Sequence, residues 1–111
     1  MTPEELVQEQ LEAYNVQDLQ RFVACFSEDV QVYKFPNLLQ YSGTINFENH
    51  YAKAWAMNPN QKAIVNERMS LGNLVIDKEK VIGRASGEVV QVIAMYKVEG
   101  GKITQVFFEY E

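Results

Sequence analysis

The start of the chain carries hydrophobic residues at helical spacing. Val7, Leu11 and Tyr14 lie four and three positions apart, which predicts one helix with a single apolar stripe. Residues 2–5 (TPEE) supply an N-cap threonine, a proline suited to the first helical position and a glutamate placed for a capping box. The pattern therefore predicts a helix that begins just after Thr2.

Two further segments have the same helical periodicity. Asp18 is a candidate N-cap for a second helix, which we expect to end at residues 27–29. The apolar positions of this helix are Leu19, Phe22, Val23 and Phe26. A third helix is predicted from Thr44 until residues 58–60 (NPN) end it. Its apolar face comprises Phe47, Tyr51, Ala54 and Trp55.

The remaining segments are rich in residues that favour strands. Residues 30–35 (VQVYKF) predict an early strand, and residues 38–42 a short extended segment. After Gln61 the pattern predicts four strands, at residues 62–76, 81–85, 89–98 and 103–110. We interpret Gly72 as a bulge or bend inside the first of these. The charged residues 77–80 (DKEK) then form the turn that follows it, and Ser86-Gly87 and Gly100-Gly101 form hairpin turns.

This order of elements predicts an α+β fold. Early helices followed by a run of antiparallel strands indicate helices packed on one face of a strongly curved, mostly antiparallel sheet. A length of 111 residues fits one domain spanning residues 1–111. A bent sheet that wraps a helix layer encloses a concave space, where we expect a pocket.

Charge and composition narrow the expected partners. Fifteen acidic against ten basic residues give a net charge of -5, which disfavours nucleic acid and anionic membranes as partners. No apolar run is long enough to span a bilayer, and the acidic N-terminus does not resemble a secretory signal, so we expect a cytoplasmic protein. The single Cys25 and the single His50 cannot close a metal site between them, and we expect no cofactor.

Several short segments, in order, resemble a known superfamily. They are residues 14–19 (YNVQDL), 26–30 (FSEDV), a glycine ahead of Tyr51, and 98–103 (VEGGKI) leading into 106–108 (VFF). The chain resembles the nuclear transport factor 2-like superfamily, specifically its small SnoaL-like and ketosteroid-isomerase-like members. The resemblance implies a cone-shaped, half-open barrel with an apolar pocket and a homodimer formed through the outer sheet face.

The resemblance does not carry over the isomerase chemistry. The position of the aspartate base falls on Lys34, that of the oxyanion tyrosine on Gln10, and that of the protonated acid on Ala94. Tyr14 lies one helical turn beyond the tyrosine position. Epoxide-hydrolase-like members use an Asp-Arg-Asp set, for which Arg68 is a candidate, but no aspartate is placed to flank it when residues 77–80 form a turn. The cyclase-like pairing of an aspartate with a histidine is also not matched.

The candidate site residues are two cations and a set of rings. Lys34 shares the strand face of Val32 and is predicted to point into the cavity, where it would bind an anion or act as an amine base, or else it reaches past the rim to water. Arg68 would hold a carboxylate of the ligand, or else pair with an acid of the chain. The other predicted ligand-binding residues are Tyr14, Tyr51, Trp55, Tyr96, Phe108 and Tyr110.

Two hypotheses for function follow. The first is a small-molecule-binding protein with an aromatic pocket for a hydrophobic or anionic ligand, with catalysis of an isomerase, cyclase or hydrolase type left open. The alternative is a non-catalytic homodimeric interaction module whose pocket is vestigial, and the size of the cavity distinguishes the two. In either case the outer sheet face is predicted to form a homodimer through Ile93, Met95, Gln105 and Phe107.

Overall fold

Three helices pack against one face of a curved six-stranded sheet in a computed structural model that describes residues 1–111. The helices are α1 (Pro3–Asn15), α2 (Leu19–Val23) and α3 (Thr44–Met57). The strands are β1 (Phe26–Lys34), β2 (Leu38–Ser42), β3 (Lys62–Leu71), β4 (Leu74–Ile82), β5 (Val90–Glu99) and β6 (Lys102–Tyr110). None of the three helices is long and apolar enough to cross a membrane.

The sheet is mixed and not closed. Its strand order is β2-β1-β6-β5-β4-β3, in which β1 and β6 are parallel and all other neighbours are antiparallel. Because the sheet curves around the helices without closing, it forms the α+β architecture that the sequence pattern predicts and the cone shape that the family resemblance implies. The inner face of the cone is the side that holds the core and the cavity.

The predicted helix starts are confirmed. The Glu5 backbone N–H donates to Thr2 Oγ1 at 3.1 Å, and Glu5 Oε1 accepts from the Thr2 backbone N–H at 2.8 Å, which is a complete capping box. Asp18 caps α2 by accepting from the backbone N–H of Arg21 at 3.2 Å. The predicted end of α2 is wrong, since α2 ends at Val23 and Phe26 already begins β1, where it pairs with Ile103 of β6.

The structure corrects the prediction for β3 and β4. Gly72 is not a bulge inside one long strand. Gly72 and Asn73 form a two-residue hairpin turn, with Leu71 paired to Leu74 and a φ of +57° at Gly72. Residues 77–80 are therefore not a turn but lie in the middle of β4, where their side chains alternate between the inner and outer face of the sheet.

Aromatic rings fill part of the space between the three helices and the inner face of the sheet. Phe22 is 1% exposed and stacks on Phe47 with ring centroids 5.5 Å apart. Tyr14 meets Trp55 edge-on at 5.6 Å. This packed layer joins all three helices and forms one end of the cavity described below.

We expect Gly83→Ala to destabilise the fold, because the position allows no side chain. Gly83 has a φ of +75°, and a Cβ there would lie 2.0 Å from the Asn60 carbonyl oxygen. The expected loss exceeds about 1 kcal/mol of unfolding free energy, measured by urea denaturation. Gly87→Ala is the matched control, since Gly87 has a φ of +79° but open space around it. Equal losses for both variants would contradict the predicted clash.

Candidate functional site

The curved sheet and the helices enclose a main cavity of about 330 Å³. Fifteen of its 21 lining residues are hydrophobic, which suits an apolar ligand. The predicted residues Tyr14, Tyr51, Tyr96, Phe108 and Tyr110 all line it. Trp55 is 5% exposed and lies behind Tyr14, so it supports the wall.

An acidic side chain outside the predicted set of site residues lies in this cavity. Glu79, in the middle of β4, is 6% exposed and lines the main cavity. Its Oε2 accepts from the Tyr96 hydroxyl at 3.2 Å, and that hydroxyl accepts from Gln10 Nε2 at 3.3 Å. Burial, with the neighbouring charge of Asp77, raises the pKa of Glu79 to about 7. A carboxyl group with this pKa exchanges a proton readily near neutral pH.

A hydroxyl donor faces the same cavity. The Tyr14 hydroxyl accepts from Gln61 Nε2, so its own proton is not used in any hydrogen bond within the chain. Burial raises the pKa of Tyr14 to about 12, which keeps the hydroxyl protonated. Gln61 is 8% exposed, and its Oε1 accepts no hydrogen bond. The cavity thus combines an acid–base group, a hydroxyl donor and an unpartnered buried acceptor.

Arg68 lies beside the cavity but does not line it. It sits directly across from Asp77 in the β3–β4 register and donates to both carboxylate oxygens, at 2.6 and 2.9 Å. It also donates to Gln8 Oε1 of α1 at 2.9 Å. The expectation that Asp77 is badly placed for Arg68 is therefore wrong, and the pair links the sheet to α1.

Lys34 lies at the rim. It shares the β1 face of the buried Val32, as predicted, but its side chain is exposed. It lines a second, more open cavity of about 390 Å³, which shares His50, Tyr51, Phe108 and Tyr110 with the main cavity. Glu79 is the buried carboxyl group of the main cavity, whereas Lys34 lines only the second cavity.

The sequence contained a signal for Glu79. Residues 75–81 (VIDKEKV) alternate, and the inward set comprises Val75, Asp77, Glu79 and Val81. Interpreting Gly72-Asn73 as the turn would have assigned this segment to a strand. No group of three or more His, Cys, Asp or Glu side chains is placed to hold a metal ion.

The protein therefore belongs to the class of open, cone-shaped α+β folds that hold an apolar cavity between the sheet and the helices. The family model for the SnoaL-like domain matches residues 7–106. The chain is therefore a member of the SnoaL-like domain family. None of the curated protein sequences matches it.

Solved structures agree with this assignment. An uncharacterised cystatin-fold protein from Novosphingobium aromaticivorans is 25% identical, with a TM-score of 0.89 and 97% of each chain covered. A candidate polyketide cyclase from Sinorhizobium meliloti is 18% identical, with a TM-score of 0.81, covering 94% of this chain and 93% of that one. A protein with a ketosteroid-isomerase-like fold from Catenulispora acidiphila, solved with trimethylamine, is 18% identical, with a TM-score of 0.82, covering 100% of this chain and 88% of that one. These similarities establish the fold.

Proposed function

We propose that this protein binds an apolar small molecule that bears a carbonyl group and moves a proton at the carbon beside that carbonyl. The observation that carries the proposal is the position of Glu79. Its carboxyl group is buried in the wall of a 330 Å³ aromatic cavity, and its pKa is raised to about 7. Charged groups in apolar surroundings are costly, and such groups concentrate at functional sites. A cavity of this size favours ligand binding over a vestigial pocket.

The proton-transfer step needs only residues of this chain. The Glu79 carboxylate takes the proton from the carbon beside the carbonyl. The electrons of that C–H bond form a C=C bond to the carbonyl carbon, and the π electrons of the C=O bond move to the oxygen. The Tyr14 hydroxyl donates a hydrogen bond to the oxygen as negative charge develops on it. Glu79 then returns the proton to carbon. Return to the carbon that lost the proton regenerates the substrate, and delivery to a different carbon gives an isomer. Tyr96 positions Glu79 through the 3.2 Å hydrogen bond.

The structural neighbours are consistent with this chemistry. One neighbour is named as a candidate polyketide cyclase, and another is named for its ketosteroid-isomerase-like fold. In this chain the isomerase positions hold Lys34, Gln10 and Ala94, so the proposed base comes from a different strand position. The fold is shared, and the proposed chemistry is argued from the residues of this chain's own cavity.

The test measures the rate of hydrogen–deuterium exchange in 2-tetralone, an apolar bicyclic ketone. The exchange is monitored by NMR in deuterated buffer. We expect the wild-type protein to accelerate exchange at the carbon beside the carbonyl, and Glu79→Gln to reduce that rate by about 100-fold or more. Glu109→Gln is the control, because Glu109 is an exposed strand glutamate. An unaccelerated rate with the wild-type protein, or an unchanged rate with Glu79→Gln, would refute the proposal.

We also propose a homodimer through the outer face of the sheet, which no helix covers. Ile93 is 39% exposed there, and Phe107 stacks on Tyr33 with ring centroids 4.8 Å apart. Light scattering should give about twice the chain mass of 12.8 kDa, and Ile93→Arg should reduce it to that of one chain. Leu71→Arg, at the 86% exposed tip of the β3–β4 hairpin, should leave the dimer intact. A wild-type mass near 12.8 kDa at micromolar concentration would contradict the dimer.

A further inference from the structure

Resting on the function proposed above, we infer that the ligand is an anion: an apolar body with a carboxylate that Arg84 binds at one side of the main cavity. Arg84 lies in the loop between β4 and β5 and lines the cavity. The inference depends on three features of this residue, which are its fixed backbone, its unused donors and its position relative to other polar groups in the cavity.

The backbone on both sides of Arg84 is fixed. Gly83 packs so closely on Asn60 that no larger residue fits. The Ala85 backbone N–H donates to Asn58 Oδ1 at 3.0 Å. Asn58 is itself held, because its carbonyl accepts from Gln17 Nε2 at 2.8 Å. The guanidinium group of Arg84 therefore projects from a loop that is anchored to the end of α3.

Arg84 differs from the other two arginines of the chain. Arg21 donates to both oxygens of Glu9, at 2.7 and 2.8 Å, and Arg68 does the same to Asp77. Arg84 forms no salt bridge, and its Nε is buried with no hydrogen-bond partner. A buried donor without a partner is costly, and a planar guanidinium group matches a carboxylate with two parallel hydrogen bonds. A carboxylate in the cavity would accept two parallel hydrogen bonds from the terminal nitrogens of Arg84, which also have no partner in the chain.

A second unpartnered atom lies in the same cavity. Gln61 is buried, and its Oε1 accepts no hydrogen bond. The positive charge of Arg84 also acts on this region, since it opposes the burial that raises the pKa of Tyr14. A ligand with a carboxylate at Arg84 and a hydroxyl or enol group near Gln61 would place a polar group beside each of these two side chains. Its apolar body would lie among the rings that face Glu79.

No other charged group near this end of the cavity pairs with Arg84 in place of the ligand. Glu88 and Glu111 line an adjoining surface groove with Arg84, but neither carboxylate comes within 4.0 Å of it. Lys34 is exposed and borders the second cavity. Arg84 is thus the cation of the main cavity that has no partner in the chain.

The test compares two probes of nearly equal shape, naphthalene-2-carboxylate and naphthalene-2-carboxamide, by isothermal titration calorimetry. We expect the wild-type protein to bind the carboxylate about tenfold or more tightly than the amide, as charge-assisted hydrogen bonds imply. Arg84→Gln should abolish this preference and change amide affinity less than twofold. Arg84→Lys, which keeps the charge, should retain part of the preference. Arg21→Gln, which removes a surface charge, should retain all of it.

Several outcomes would overturn the inference. They are equal weakening of both probes in Arg84→Gln, no preference in the wild-type protein, binding of neither probe, or loss of the preference in Lys34→Gln instead. The proposed function is tested separately, because 2-tetralone is uncharged and its exchange depends on Glu79. Exchange that persists while the carboxylate preference is absent would refute the Arg84 site alone.

Discussion

Glu79→Gln should make the protein more stable at pH 8, by about 3 kcal/mol, and leave its stability near pH 4 almost unchanged. Burial raises the pKa of Glu79 from its ordinary value of 4.5 to about 7 in the folded state. Below pH 4.5 the carboxyl group is protonated in both the folded and the unfolded chain. As the pH rises through 7, the folded chain must carry a buried charge, and the stability contributed by the protonated form is lost. Each pKa unit corresponds to about 1.4 kcal/mol.

The measurement is urea denaturation of the wild-type protein and the variant at pH 4, 6 and 8. All other titrating groups are common to both proteins, so the difference between the two curves isolates Glu79. Glu109→Gln should run parallel to the wild type, because that side chain is exposed. A constant difference between wild type and Glu79→Gln across this range would show that burial does not shift the carboxyl group.

Arg68→Met should destabilise the fold by about 3–5 kcal/mol, the range observed when one member of a buried ion pair is removed. Asp77 is 0% exposed, and Arg68 satisfies both of its oxygens. Without Arg68 the carboxylate stays buried and unpaired, and Gln8 loses its partner on the sheet. The cost arises from the charge that remains and not from the packing of the arginine side chain.

A double variant separates these two causes. Arg68→Met combined with Asp77→Leu removes the stranded charge and should recover most of the lost stability in thermal or urea unfolding. Lys78→Met is the control, since Lys78 is an exposed strand lysine whose contact with Glu67 is 4.0 Å long, and it should change stability little. A single Arg68→Met loss as small as the control would contradict the importance of the pair.

The helices could be predicted because their signals are local. The capping box at Thr2 and the apolar stripe of α1 lie within a few residues of one another. The middle of β4 could not be predicted as easily, because residues 77–80 are all charged and charged residues are seldom buried unless they are paired. The partner that makes burial of Asp77 tolerable, Arg68, comes from the neighbouring strand. Recognising it requires the β3–β4 register.

The sequence predicts the walls of the cavity but not the charged groups to which we assign its proposed chemistry. Five of the six predicted rings line the main cavity, because apolar periodicity identifies inward positions. The strand face of Lys34 was also predicted, but β1 ends at this residue, which leaves its side chain at an open rim. Glu79 was missed with β4, and Arg84 was missed because a loop has no periodicity that shows which way its side chains point.

The most direct test of an acid–base group inside the cavity is a titration of the Glu79 carboxyl carbon by ¹³C NMR, with its signal assigned from the spectrum of Glu79→Gln. The structure predicts a pKa for Glu79 of about 7. A midpoint near the ordinary value of 4.5 would contradict the account, because Glu79 would then behave as a solvated carboxylate and not as a proton-transfer group in an apolar cavity.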